Sequence, residues 1–376
     1  MKQLSLFIVL LLSFIAPEAI ASPLTNPPIF NLPISDATTH ILALQIPSVD
    51  LTTFIGAPGL DSFRDEVYST MRSYRNDFMK WGTTFYVLFF VLQFLLLGIT
   101  MIVKGPFAIA THRPIHALNP FANFFFFLLA GTLGFMIVSN SVTVKPDGSE
   151  SGWVPWVYDW FSETGEMTGC NEIYLYITSP CNEENVAWIG TQMTGVMTLA
   201  VSKSGLSKDN KEDWSLYHKG AMTSVFASTT VLAVQMILVK ISFIIAIVSA
   251  PVFLSTIVFK PFSGIANGYI SFIAYLGVKL MVLQLIAGLL GHVAEQWLTT
   301  LFGTIAIAFL ASYAPGTASI SIGDMFSFNM SVLIMSMLFL SLTLYLPTKI
   351  AGMVSQRLNI DLNGILFRGE FPVAIS

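Results

Sequence analysis

Charged residues and cysteines are scarce in this chain of 376 residues. Asp, Glu, Lys and Arg make up 11% of it, whereas soluble domains carry about 25%. Hydrophobic residues account for 54% and the mean hydropathy is +0.71, so polar groups cannot cover a water-facing surface. The composition excludes an ordinary soluble protein and predicts an all-α, polytopic membrane protein. The two cysteines exclude a disulfide-rich scaffold and allow at most one bridge.

Common catalytic motifs are also missing. The chain contains no Gly-x-x-x-x-Gly-Lys-Ser/Thr loop for phosphates, no His-Glu-x-x-His and no Gly-x-Ser-x-Gly. His112 and His116 are four residues apart, but Pro114 lies between them and disfavours a shared helical face. We therefore expect no enzymatic activity, no cofactor and no metal site.

The N-terminus has the pattern of an export signal. Lys2 precedes an apolar stretch over residues 4–16, followed by Pro17 and a small-x-small site ending at Ala21. The pattern predicts a cleaved signal peptide over residues 1–21, with an uncleaved first transmembrane helix as the alternative. Either alternative places residues 22–80 in the periplasm. This segment begins rich in proline and continues with apolar residues at helical spacing.

Residues 81–144 contain the first two predicted transmembrane helices, over 81–103 and 121–139. The loop between them carries Lys104, His112 and Arg113 and no acidic residue, which indicates the cytoplasmic side. Residues 145–185 carry one lysine and eight acidic residues, which indicates a periplasmic loop.

Cys170 and Cys181 both fall in this acidic loop, and an oxidising compartment favours a disulfide between them. Two free thiols are the alternative. Aromatic residues crowd just before the cysteines and fit either the outer membrane interface or a protein-binding edge: Trp153, Trp156, Tyr158, Trp160 and Phe161.

Residues 186–347 supply the remaining transmembrane helices. Residues 186–201 are short for a span, but a crossing there keeps the following lysines cytoplasmic. Residues 221–259 are interpreted as one long helix because no turn residue surrounds Lys240. Spans over 265–290, 298–314 and 325–346 follow, which makes about seven in all. The tail, residues 348–376, is then cytoplasmic, and Lys260 is a basic residue on the outer side.

Two lysines lie within predicted spans. Lys279 is near the middle of its span, where a charge costs about 2.5–3.5 kcal/mol. It should face the bundle interior, a subunit interface or water, either lining a translocation path or filling a structural role. Lys240 lies at the middle of the long helix, whose first half is expected to extend beyond the membrane on the cytoplasmic side or to pack against neighbouring subunits. In the first arrangement Lys240 is near the cytoplasmic interface, which its ammonium can reach.

A proline-rich, aromatic elbow joins the two long apolar segments. Its residues follow in the order Pro251, Phe253, Phe259, Lys260, Phe262 and Gly268. This order resembles the TrbL-like polytopic inner-membrane component of type IV secretion systems. Tyr269 stands where that family is expected to have tryptophan.

This resemblance implies a structural or channel subunit in the bacterial inner (cytoplasmic) membrane. Such a subunit forms an oligomeric core, helps pass DNA or protein, and contacts pilus-assembly and other inner-membrane components of the secretion system. The translocated DNA or protein would be only a transient partner, and the lipid bilayer a constant one. A secondary transporter that uses Lys240 and Lys279 as coupling groups is the alternative.

Overall fold

The computed structural model describes residues 60–110, 114–144, 150–170, 179–203, 208–313 and 322–357. The predicted signal peptide, the part of the N-terminal segment before residue 60 and the tail beyond residue 357 lie outside the described residues. The described part is almost wholly helical, which confirms the all-α prediction. In chain order its elements are α1 (Leu60–Ala110), α2 (Pro114–Ser139), β1 (Thr143–Val144), β2 (Glu150–Ser151), α3 (Trp153–Gly169), α4 (Glu183–Lys203), α5 (Lys208–Leu254), α6 (Ser263–Tyr313) and α7 (Ile322–Arg357).

Four stretches of these helices are long and apolar enough to cross a membrane: Ser62–Thr100, Tyr217–Val258, Lys260–Gly303 and Phe326–Gln356. The chain is therefore a helical membrane protein. A shorter apolar stretch, Phe124–Ser139, lies in α2. Residues 186–201 lie within α4, which is not among the four long stretches, so a crossing there stays a prediction.

The long helices change how the predicted spans divide. α5 is continuous through Lys240, as the lack of turn residues predicts. α6 is also continuous, so the two spans predicted over 265–290 and 298–314 lie on one helix. Residues 291–297 contain no Pro, Asn or Asp, and their single glycine, Gly291, lies inside the helix. α7 likewise continues past Pro347, where the sequence predicts the end of the last span.

A short β-ladder precedes α3. Thr143 pairs with Ser151 and Val144 with Glu150 in antiparallel register. Gly152 then adopts φ +127°, a conformation that favours glycine, and a Cβ there would lie 2.6 Å from the Ser141 carbonyl oxygen. The turn directs the chain from the ladder into α3.

The described residues form two compact units. The first comprises Thr164–Leu238 and Leu280–Thr348 with the start of α1 up to Arg64, and the second comprises Asp65–Glu163 and Val239–Lys279 with the end of α7 from Lys349. In the first unit, apolar residues at helical spacing on α4, α5, α6 and α7 meet in one core. Its buried members are Ile189, Met193, Val196, Met197, Ala221, Met222, Val225, Ala294, Trp297, Leu298, Leu301 and Val332.

Small and hydroxyl-bearing residues join the helices of the first unit. A Cβ on Gly190 would lie 2.0 Å from Thr229 Oγ1, so α4 and α5 approach closely there. The hydroxyls of Ser224 on α5 and Ser336 on α7 are hydrogen-bonded to each other. Lipid tails are as apolar as leucine, so close packing and polar contacts of this kind hold membrane helices together.

In the second unit, α1 and α2 pack antiparallel through aromatic residues. The Tyr86 hydroxyl donates a hydrogen bond to the Gly131 carbonyl, and the rings of Phe90 and Phe127 stack 5.0 Å apart. At the end of α2, the Ile137 carbonyl accepts a 3.0 Å hydrogen bond from Trp153 Nε1. These contacts secure the start of α3.

α3 is a packed helix within the segment that the sequence presents as a loop. In the second unit, Tyr158 meets Phe243 of α5 at 4.9 Å between ring centroids, and Phe161 covers Gly277 of α6. In the first unit, a Cβ on Gly288 of α6 would lie 1.6 Å from the Gly169 carbonyl oxygen. Glycines on both helices allow this approach. The periplasmic location of the segment stays a prediction.

Candidate functional site: the α5–α6 elbow

The chain reverses between α5 and α6 through two 3₁₀ turns, Ser255–Val258 and Lys260–Phe262. Phe259 separates them in an extended conformation, with φ −101° and ψ 107°. Pro251 lies inside α5 and Pro261 inside the second turn. Proline has no N–H to donate and clashes with the preceding helical turn, so the two prolines favour a break here. We call residues 251–263 the elbow.

Hydroxyl side chains satisfy carbonyl groups around the elbow. Ser255 Oγ donates to the Val252 carbonyl at 2.6 Å and Thr256 Oγ1 to the Phe253 carbonyl at 2.8 Å. Ser263 Oγ donates to the Lys260 carbonyl at 2.9 Å. The last carbonyls of a helix have no N–H partner within it, and an apolar environment offers no water to replace one. These three hydroxyls therefore provide hydrogen-bond donors to backbone carbonyls at a chain reversal that is surrounded by apolar helices.

Three phenylalanines hold the elbow against α1. The rings of Phe89 and Phe259 are nearly parallel, with centroids 5.7 Å apart and an interplanar angle of 4°. Phe262 meets Phe89 edge-on at 5.7 Å and Phe259 at 5.5 Å. We call these residues the phenylalanine triad. Two of its members belong to the motif that carries the family resemblance.

Pro251, the first residue of the motif, packs against Gly82 of α1. A Cβ on Gly82 would lie 2.5 Å from the Pro251 carbonyl carbon and 2.5 Å from its Cβ. Any larger residue at position 82 would therefore displace backbone. α1 contacts the motif through Gly82 and Phe89, which lie on one face of the helix about two turns apart.

Tyr269 links α6 back to α5. Its hydroxyl donates a 2.6 Å hydrogen bond to the Ala246 carbonyl, and its ring stacks on Phe253 at 5.5 Å. The tyrosine that replaces the expected tryptophan thus has a specific partner. Beside it, α5 and α6 enclose an open cavity of about 430 Å³ lined by Ser242, Ser249, Phe253, Ile265, Gly268 and Tyr269 among others. Ser249 Oγ already bonds the Ile245 carbonyl, so the cavity suits apolar groups.

Lys260 lies on the exposed side of the elbow. The adjacent elbow residues Phe259 and Phe262 pack against Phe89 of α1. Phe89 is nine residues after Lys80 and fifteen before Lys104. At 1.5 Å per residue, the elbow is therefore about 14 Å and about 22 Å from the charged ends of this apolar stretch of α1. The elbow contacts the middle of the apolar stretch, far from either end.

Lys240 and Lys279 are both half-buried, on α5 and α6 respectively. Among the described residues neither lines the cavity. Lys279 makes no hydrogen bond or ion pair within the part of the chain that the structure describes. The structure therefore brings together the elbow residues but leaves the two lysines outside that cluster.

A second cluster lies in the first unit around the disulfide. Cys170 and Cys181, the pair that the sequence predicts, are joined, with Cα atoms 5.9 Å apart. Two residues later, Glu183 begins α4, and its fully buried carboxylate forms an ion pair with Arg64, whose Nη1 donates a 2.9 Å hydrogen bond to Glu183 Oε1. Sequence reasoning missed this pair, because 119 residues separate its members.

Gly82 and Phe89 were also missed. α1 carries no charge over residues 81–103, so its periodicity does not distinguish a protein-facing residue from a lipid-facing one. Within the described residues no three His, Cys, Asp or Glu side chains converge as metal ligands. No protein-family model matches the chain, and no curated protein matches it.

Proposed function

We propose that the chain is a structural or channel subunit of a bacterial type IV secretion or conjugative-transfer complex in the inner membrane. It would help pass DNA or protein and support pilus assembly. The observation that carries this proposal is the elbow: Pro251, Phe259 and Phe262, three residues of the family-like motif, all pack against α1. A motif whose residues support one another in this way has a structural task.

Exposed apolar faces also support an assembly role. In the most apolar stretch of α1, 11% of the residues are buried, whereas 61% are buried in the corresponding stretch of α6. α7 resembles α1, with 28% buried. Lipid alone can cover such faces, and neighbouring subunits can do so as well, as an oligomeric core requires.

Lys260 provides a test of the channel role. An exposed charge in hydrocarbon is costly, so an exposed lysine at mid-span is expected to face water or a partner. The native cysteines are bridged, so Lys260→Cys introduces a single free thiol. In intact membranes we expect a charged, membrane-impermeant maleimide to label Lys260→Cys but not the matched control Val91→Cys, which lies two residues after Phe89 and is 47% exposed on α1. Equal resistance of both thiols would count against a water-lined path.

The complex itself is tested by deletion of the gene. We expect loss of DNA or protein transfer, restored by the wild-type chain and poorly by Phe259→Ala with Phe262→Ala. Phe125→Ala, at a ring 65% exposed on α2, is the matched control and should restore transfer. Normal transfer in the deletion strain, together with a purified protein that is only monomeric, would refute the proposal.

A secondary transporter remains the alternative because of Lys279. This half-buried lysine lies in a membrane-length helix and makes no ion pair within the described residues, as a group that exchanges a proton or binds an anion requires. Substrate uptake into proteoliposomes that is lost in Lys279→Ala and kept in Lys260→Ala would favour transport. Absence of uptake with retained oligomerisation would favour the secretion role.

A further inference from the structure

α3 presents one unpartnered face that combines two tryptophans with two carboxylates. Trp156, Asp159, Trp160 and Glu163 are spaced three, one and three residues apart and lie on the same side of the helix. Trp156 is 64% exposed and Trp160 is 49% exposed. We call these four residues the outer stripe.

The opposite side of α3 is fully used. Val154 is buried, Tyr158 meets Phe243, and Phe161 covers Gly277. The sequence allows either a membrane interface or a protein-binding edge for this aromatic cluster. In the structure the cluster is divided between two faces of α3. Packing of α3 accounts for the inner aromatic residues and leaves the outer stripe unexplained.

Both tryptophans of the outer stripe offer large contact areas. A tryptophan buries roughly 150–250 Å² when it is covered, and tryptophan is enriched among the residues that dominate binding energy at interfaces. Trp160 touches only its neighbour Phe161 among the ring contacts of the described residues, and Trp156 has no ring contact there. The exposed surface is thus of the kind that a partner covers.

The carboxylates specify the charge of that partner. α3 contains no lysine or arginine, and neither Asp159 nor Glu163 makes an ion pair within the described residues. They are four residues apart, where like charges repel. Partial burial and, second, the charge of Glu163 raise the pKa of Asp159. A cation placed between the two carboxylates would reduce their repulsion and would favour the charged form of Asp159.

A lipid surface fits the outer stripe poorly. Anionic leaflets attract basic segments, and the stripe carries two acids without a compensating base. The inner side of α3 packs on Phe243 and Gly277, which lie in membrane-length stretches of α5 and α6. If the outer stripe faced hydrocarbon at that level, each carboxylate would cost energy that only water or a partner removes.

We propose that the outer stripe docks a segment of a partner protein whose apolar side chains cover Trp156 and Trp160 and whose lysines or arginines pair with Asp159 and Glu163. This inference goes beyond the proposed secretion role, because it specifies the partner by its chemistry and holds for any complex that supplies it.

Photo-crosslinking in cells that make the protein natively tests the site. The photoreactive residue p-benzoylphenylalanine replaces Trp156 in the full chain, and replaces Trp81 of α1, 56% exposed, as the matched control. We expect position 156 to crosslink a protein through a peptide that contains both basic and apolar residues, whereas position 81 should give lipid adducts. The proposal would be overturned if position 156 gave only lipid adducts or no adduct at all. It would also be overturned if the partner peptide crosslinked to position 156 contained neither Lys nor Arg.

The charge requirement has its own control. Asp159→Asn with Glu163→Gln keeps the size of both side chains, and we expect it to lower the crosslinking yield at position 156 at least about fivefold. Asp77→Asn, at an exposed acid on α1, should change the yield less than about twofold. Unchanged yield in the double variant would refute ionic docking. Retention of the Cys170–Cys181 bridge and a thermal midpoint no lower than that of the wild type show that the double variant is folded.

A defined probe separates this site from the proposed complex. Full-length protein in nanodiscs of zwitterionic lipid is titrated with an amphipathic Lys/Leu peptide and with its Glu/Leu counterpart, following tryptophan fluorescence. We expect the Lys/Leu peptide to bind at least about tenfold more tightly, and this preference to vanish in the double variant. Equal binding of both peptides would overturn the charge assignment even if the deletion strain has lost transfer.

Discussion

At the scale of single residues, the Arg64–Glu183 pair is the contact whose loss should matter most in the first unit. The Glu183 side chain is fully buried, and Arg64 Nη1 lies 2.9 Å from its carboxylate. Removal of one partner leaves a buried charge without its main counter-charge, so Arg64→Ala should lower the free energy of unfolding by about 3 kcal/mol.

Thermal unfolding of the purified chain in detergent checks this prediction. Arg72→Ala, at a half-buried arginine on the same helix, is the matched control and should change stability little. Arg64→Leu combined with Glu183→Leu should recover most of the loss, because it removes both charges. An Arg64→Ala variant as stable as Arg72→Ala would contradict the prediction.

Asp159 should make stability depend on pH. Its pKa is raised, chiefly by partial burial and then by the charge of Glu163, so the folded protein favours the protonated acid more than the unfolded chain does. Stability from this group is therefore present at low pH and is lost as pH rises through the raised pKa. Asp159→Asn should stabilise the protein at pH 7 by less than about 1 kcal/mol, since water screens exposed carboxylates.

Thermal midpoints at two pH values test the sign. The advantage of Asp159→Asn should shrink as pH falls toward about 4, where aspartic acids begin to protonate in the unfolded chain. Asp77→Asn serves as the control for the loss of an exposed acid. A midpoint for Asp159→Asn below that of the wild type at pH 7 would show that the carboxylate stabilises the fold.

At the scale of elements, the local sequence predicts the helices and the elbow, but it does not predict which elements contact each other. The missing turn residues around Lys240 predict an unbroken α5, and Pro251 with Pro261 predicts the reversal. The partner of the reversal was not predictable, because α1 offers apolar side chains in every direction. Phe89 stacks on Phe259 of the elbow. Phe85 and Phe89 are the same residue type in an uncharged stretch of α1, so the sequence pattern does not indicate which of them faces another helix.

The contact between α1 and the elbow should be sensitive to one methyl group. At Gly82 an added Cβ would lie 2.5 Å from backbone of Pro251, whereas at Gly98 on the same helix it meets nothing within 4 Å. Gly82→Ala should therefore destabilise the protein by about 1–3 kcal/mol. Gly98→Ala should be neutral or slightly stabilising, since alanine favours the helix. Equal midpoints for the two variants in detergent would show that α1 does not dock on Pro251.

At the scale of the whole molecule, hydropathy predicts a membrane protein but not its number of crossings. α1 and α6 have 51 residues each and α5 has 47. A helix of about 50 residues is roughly 75 Å long, more than twice the hydrocarbon core of about 30 Å. Such helices leave the membrane boundaries undefined by length, so the division of α6 into spans over 265–290 and 298–314 stays a prediction. The paired cysteines were predictable because oxidation depends on compartment and count, which the sequence contains.

The disulfide therefore offers the most direct evidence on orientation and on the stability of the folded chain. Cys170 and Cys181 are 11 residues apart, so their bridge closes a short loop. In the chain-entropy account, such a bridge stabilises a protein by about 2–3 kcal/mol, and Cys170→Ser with Cys181→Ser should lower the thermal midpoint accordingly. When cells are quenched with acid and their proteins are then denatured, all thiols are accessible, and the wild-type thiols should resist a maleimide–polyethylene glycol reagent until a reductant is added. In bacteria that lack periplasmic thiol oxidation, both should react without reductant, because cytoplasmic thiols stay reduced and only a periplasmic pair depends on that system. Thiols that react in normal cells before reduction would place residues 170–181 in the cytoplasm and reverse the predicted orientation.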